Sequence, residues 1–193
     1  MTNDILNKAI IFAVKAHEGQ LRKDGSPFIL HPLEDASIVA TMTKDPEVLA
    51  AAVLHDTVED TDTTLEDILE NFGSRVRELV MHETENKRPE LPPSESWQIR
   101  KKESLELLAK TDDPNVKMLW LGDKLSNMRG LYRSVLEKGD EAFEAFNVKS
   151  PESQKWYYGT VLRLLSDMSG YPAYKEYEML YHIIFDKYSE TGE

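Results

Sequence analysis

Residues 51–61 read AAVLHDTVEDT, and the way this stretch continues decides what kind of chain it belongs to. Ala51 to Leu54 are apolar without alternation, as in the buried part of a helix. His55, Asp56, Glu59 and Asp60 then follow within six positions. At about 3.6 residues per turn, Val48, Ala51 and Ala52 define a stripe that continues into His55 and Glu59. Leu49, Ala52 and Val53 define a neighbouring stripe that continues into Asp56 and Asp60. The ionisable groups therefore fall on faces that the preceding turns bury. An imidazole and carboxylates placed there are unfavourable unless something compensates them.

Reading outward, the pattern is helical nearly throughout. Residues 2–18 carry apolar residues at helical spacing and stop at Gly19. A loop follows, QLRKDGSPFIL, punctuated by Asp24-Gly25 and Ser26-Pro27. A second helix opens at His31 with Pro32 suited to its first position, and a third opens at Asp45-Pro46 and runs through the quoted stretch. TTLEDILENFG offers a capping box from Thr63 to Glu66 and a stop at Gly73. Helices are also expected over residues 74–85, 95–110 and 112–139. A short polar segment, DEAFEAFNVKSP, precedes two more, with Trp156, Tyr157 and Tyr158 read as core packing of the penultimate one. No period-2 segment of strand length, internal repeat or low-complexity tract interrupts them. The expectation is an all-α bundle of about nine or ten helices in a single domain, residues 1–193.

The long helix repeats the anomaly of the opening stretch. Val116, Leu119 and Trp120 set up a buried stripe onto which Asp123 and then Asn127 fall. His31, between an apolar pair and Pro32, can present a ring nitrogen inward as its helix begins. Singly, each has a bland reading: His31 as a cap or half-buried packing residue, Asp123 as the partner of Lys124. Together, His31, His55, Asp56 and Asp123 make a mixed nitrogen and oxygen site for a divalent ion such as Mn²⁺, Fe²⁺, Co²⁺ or Zn²⁺. Such an ion would offset the desolvation of the two acids and suit metal-assisted hydrolysis. Glu59 and Asp60, one turn beyond, suit a general acid/base or water-positioning role. Their bland reading is a helix end turning into TDTT.

The totals bound the partners. The 193 residues carry a net charge of −12, which argues against nucleic acid or an anionic membrane as partner. A phosphate-bearing substrate then has to be met by local cations or a metal. There is no cysteine, so disulfides, thiolate nucleophiles and iron–sulfur clusters are excluded. The opening MTNDILNKAI lacks the features of a signal peptide, and no apolar run is long enough to span a bilayer. A cytoplasmic location is expected. Helical enzymes of this size often dimerise, which keeps a homodimer in view.

The motifs HP, HDTVED and GDKLSNMR resemble those of the HD-domain superfamily of metal-dependent phosphohydrolases. The longer run is more specific. AHEGQLRKDGSPFILHPLEDA, AAVLHDTVEDTDTTLEDILENFG and LGDKLSNMR, in that order, resemble the hydrolase domain of RelA/SpoT-type proteins and the small alarmone hydrolases. The likeness covers about residues 5–135 and leaves 136–193 as a C-terminal helical extension. It implies removal of the 3′-pyrophosphate of guanosine tetra- or pentaphosphate, usually with Mn²⁺. It also implies His31, His55, Asp56 and Asp123 as ligands and Glu59 with Asp60 as the pair acting on the attacking water. Arg22, Lys23 and Asn127 match nucleotide-contacting positions. Arg100, in an RKK cluster, falls where the family contacts phosphates, although a solvated helix face with Glu103 and Glu106 explains that cluster equally well. At this length a nucleotide-synthesising domain is not expected. Two alternatives are an HD phosphohydrolase acting on another nucleotide or phosphorylated cofactor, and a nucleotide sensor without turnover.

Overall fold

The structure, a computed structural model, describes residues 4–188. Among them are ten α-helices and two 3-10 helices, so the all-α expectation holds; the single β-type contact is an isolated bridge between Leu21 and Pro27. The helices are α1 (Asp4–Ala16), α2 (Leu30–Val39), α3 (Pro46–Leu54), α4 (Thr57–Asp60) and α5 (Leu65–Phe72). They are followed by α6 (Ser74–Glu83), α7 (Pro93–Lys110), α8 (Pro114–Lys138), α9 (Pro151–Leu164) and α10 (Pro172–Phe185). No helix among the described residues is long and apolar enough to cross a membrane.

The backbone divides into two compact units, one of residues up to 86 together with 112–126, the other of 87–111 together with the residues from 127 on. In the first unit α3 is the central element. Val48 and Ala50 through Leu54 are completely buried, with α1, α2 and α6 packed against them. From Val48 onward every residue of α3 is apolar. In the second unit α9 packs against α7 and α10, and Tyr157, Tyr158, Tyr177 and Phe185 supply much of the buried aromatic surface. The segment read as polar, DEAFEAF, forms the 3-10 helix Gly139–Ala145. It buries Ala142 and Phe143, the latter against the rings of Phe146, Phe185 and Tyr188.

Three local expectations change. First, α2 begins at Leu30, because the amides of Leu30 and His31 already bond back to Pro27 and Phe28. Pro32 is therefore the third helical residue, still within the first turn, where its missing N–H loses nothing. Second, the third helix does not run through the opening stretch: α3 ends at Leu54 and the four-residue α4 starts at Thr57. The His55 ring nitrogen Nδ1 lies 2.7 Å from the carbonyl of Ala52, and the Thr57 hydroxyl donates to that of Leu54 at 2.7 Å. Side chains thus take acceptors that amides further along would otherwise have used. Third, the capping box joins Thr64 and Asp67, not Thr63 and Glu66. The Thr64 hydroxyl accepts from the Asp67 amide at 3.1 Å and Asp67 accepts from the Thr64 amide at 2.8 Å. Thr64→Ala is expected to cost about 1 kcal/mol of stability in urea unfolding, the usual loss for such a cap, while Thr63→Ala should cost less.

Candidate active site

The break after α3 is what shapes the site. His55 and Asp56 keep right-handed helical backbone angles, so they continue the direction of α3 while their side chains are released from it. Asp56 occupies the N-cap of α4 yet makes no capping hydrogen bond. Its Oδ2 instead lies 3.1 Å from His55 Nε2 and 3.4 Å from His31 Nε2. From α8, Asp123 brings Oδ1 to 3.2 Å from His31 Nε2 and 3.9 Å from His55 Nε2. His31, His55 and Asp123 are buried, and each offers a donor atom within 4.8 Å of the others.

The hydrogen bonds set the tautomer of each ring. The Ser126 hydroxyl donates to Glu34 Oε2 at 2.8 Å, so it accepts from His31 Nδ1–H at 2.9 Å. The partner of His55 Nδ1 is a carbonyl, which can only accept, so that nitrogen also carries the proton. Each Nε2 is thus turned toward the acids, able to give a lone pair to an ion once its ring is neutral, and His55 Nε2 is buried with no hydrogen bond of its own. Two donors each about 2.1 Å from one ion lie roughly 3.0 Å apart at a right angle and roughly 3.4 Å apart at a tetrahedral one. Three of the four imidazole–carboxylate separations, 3.1, 3.2 and 3.4 Å, fall within that interval, and the fourth, His55 to Asp123, is longer at 3.9 Å. The residues fit a divalent ion, and His31, His55 and Asp123 could hold one, with Asp56 beside them.

A family model described as HD domain matches residues 9–148. The chain belongs to the HD-domain family. It is 35% identical, over 93% of its length, to a guanosine-3′,5′-bis(diphosphate) 3′-pyrophosphohydrolase of Aquifex aeolicus, of which it spans 25%. It is 39% identical over 66% of its length to the GTP pyrophosphokinase rsh of Brucella melitensis, of which it spans 17%. These curated relatives are thus several times longer. Two solved structures are closer in size. One is a metazoan ortholog of SpoT, described as hydrolysing ppGpp, with a TM-score of 0.70, 27% identity and 95% of each chain covered. The other is lmo0812 from Listeria monocytogenes, with a TM-score of 0.71, 32% identity and 81% of this chain and 99% of that one covered.

Electrostatics in the HD centre follow from burial. Burial pushes the Asp123 carboxyl up, but Lys124 and the two imidazoles hold it far below the usual carboxylate range. The same opposition, with His55 and His31 prevailing, holds Asp56 low. Lys124 pairs with Asp123 Oδ2 and lies 4.7 Å from the Trp120 ring centroid. The bland partner foreseen for Asp123 is therefore present, on the oxygen turned away from His31. Glu59 accepts the Glu85 amide at 3.1 Å. Burial, then Asp56 and Glu85, raise its carboxyl to about 7. Asp60 holds its backbone carbonyl against Gln20 Nε2 at 2.8 Å.

Arg22 and Lys23 lie on the loop before α2. The Arg22 amide donates to Ser26, and Gly25 bonds back to Arg22 with a φ of +83° that only glycine adopts freely. Asn127 and Arg100 belong to the second unit; Arg100 Nε reaches Ser96 Oγ at 3.3 Å on α7. In the cluster around Arg100, Glu103 pairs with Arg88 and Glu106 with Lys110.

Sequence reasoning missed Glu34, Asp35, Glu83, Gly122 and Ser126. Glu83 is buried beside the centre, and desolvation chiefly, against the pull of Lys124, raises its carboxyl to about 8. A carboxyl whose folded value lies above its unfolded value of about 4.3 keeps its proton longer when folded, so its contribution falls as pH rises between the two. In the metal-free protein the contribution of Glu83 to stability is therefore expected to fall from about pH 4.3 to about 8. Glu83→Gln should flatten that loss in urea unfolding at a series of pH values.

Proposed function

We propose that this chain is a metal-dependent pyrophosphohydrolase that removes the 3′-pyrophosphate of guanosine tetra- or pentaphosphate, giving GDP or GTP and pyrophosphate. The observation that carries the reading is the convergence of two imidazole lone pairs and two carboxylates on one buried point, with a carboxyl that titrates near neutrality close by. Its substrate class rests on the likeness to a protein described as hydrolysing ppGpp. In this reading His31, His55, Asp56 and Asp123 are the ligands, Mn²⁺ is the ion, and residues 1–193 act as one hydrolase in the cytoplasm, with 136–193 as its C-terminal extension and a homodimer as its assembly.

When bound, the ion supplies Lewis acidity toward phosphate oxygens and lowers the pKa of water. The chain does the rest. Glu59, near neutrality, takes a proton from the water whose oxygen attacks the phosphorus joined to ribose O3′. Asp60 orients that water. The phosphorus–O3′ bond breaks and the leaving oxygen takes up a proton, so that one water is consumed for each pyrophosphate released. Arg22 and Lys23 are assigned to the nucleotide, Arg by stacking on the purine and Lys as a point charge on phosphate. Asn127 and Arg100 are assigned as further substrate contacts.

Purified protein loaded with Mn²⁺ should release pyrophosphate from guanosine tetraphosphate in a panel of nucleotides, and should stop when the metal is chelated. Release from another nucleotide only would favour a different phosphohydrolase, and binding without release would favour a sensor. Glu59→Gln and Asp60→Asn should each lower kcat by about 10²-fold or more, with the fold kept by circular dichroism. The wild-type rate should rise with pH to an inflection at or below about 7, since the ion's charge lowers a neighbouring carboxyl. Glu59→Gln should remove that inflection.

A further inference from the structure

Behind the centre, α2 carries a carboxyl with no hydrogen-bond partner. Asp35 is completely buried, and neither of its oxygens accepts a hydrogen bond. Its Oδ2 is 3.3 Å from His55 Nδ1, the nitrogen whose proton already goes to the carbonyl of Ala52. The space it fills exists because residue 122 has no side chain. A Cβ built on Gly122 would come within 2.0 Å of Asp35 Oδ1 and 2.7 Å of Val39 Cγ2. Asp35 and Gly122 therefore form a matched pair, one occupying what the other vacates.

A carboxyl without a hydrogen bond in the interior is unfavourable unless positive charge faces it. The group it faces is the His55 ring, whose other nitrogen is turned to the candidate ligand cluster and has no hydrogen bond. An ion on that nitrogen would draw electron density out of the ring and make Nδ1–H a stronger donor, which suits a carboxylate at its back. We propose that Asp35, admitted by Gly122, is a positioning residue for the metal: it fixes the His55 ring and balances the charge that the ion places on it. This rests on the metal centre proposed above and is independent of the substrate.

The test uses the full chain, stripped of metal, titrated with Mn²⁺ by calorimetry and with Co²⁺ by visible absorption. Asp35→Asn keeps the shape and removes the charge; Asp35→Val removes both polar oxygens. Both should bind Mn²⁺ about 10- to 100-fold more weakly and shift the Co²⁺ bands, which report on the ligand field of the imidazole. Asp35→Val should at the same time raise the thermal midpoint of the metal-free protein. A residue that only packs would not move affinity and metal-free stability in opposite directions. Gly122→Ala should weaken Mn²⁺ binding in the wild-type background and much less beside Asp35→Ala, a coupling readable from a double-mutant cycle. Variants that bind Mn²⁺ as tightly as wild type, with unchanged Co²⁺ bands, would overturn the assignment of Asp35 while leaving the metal centre standing. A wild-type chain that binds neither ion would overturn both.

Discussion

Acidic groups buried against imidazoles are the constraint around which the first unit is arranged. Asp35, Asp123 and Glu83 are buried, Asp56 is partly exposed beside them, and two buried histidines lie among them. None of these charges is tolerable alone in such surroundings. Three have a specific neighbour: Lys124 on one oxygen of Asp123, the two rings beside Asp56, the His55 ring beside Asp35; Glu83 instead keeps its proton up to about pH 8. In a chain of net charge −12, this is an acid-rich interior within a negative molecule. Positive charge, as an ion with open coordination positions, is the species that such an interior attracts most strongly.

Helix order was legible because apolar periodicity and Pro or Gly punctuation are local properties. The candidate ligands were legible for a related reason: His55, Asp56 and Asp123 continue stripes that the turns before them bury. The interruption after Leu54 was not legible, since capture of backbone carbonyls by His55 and Thr57 leaves the residue pattern of a continuous helix intact. Thr63 and Thr64 each stand three residues before an acid, and only the extended backbone of Thr64 selects the cap that forms.

Asp35 and Glu83 show a deeper limit. An acid within an amphipathic helix reads as solvent-facing, and nothing nearby in sequence says otherwise. Asp35 is buried because of a side chain missing from α8, far along the chain at Gly122. Ser126 likewise gains its meaning from His31 and Glu34, more than ninety positions earlier. In the second unit, Phe143 was hidden in an acidic segment until three other aromatic rings were brought around it.

One side chain joins two parts of the site that the sequence keeps forty positions apart. Gln20 holds its amide oxygen on His17 Nδ1 at 2.8 Å and donates to the carbonyl of Asp60 at 2.8 Å. The loop that presents Arg22 and Lys23 is thereby hung from the same peg that fixes the end of α4. One amide thus ties the backbone after α1 to the backbone at the end of α4, so that a shift of either is felt by the other.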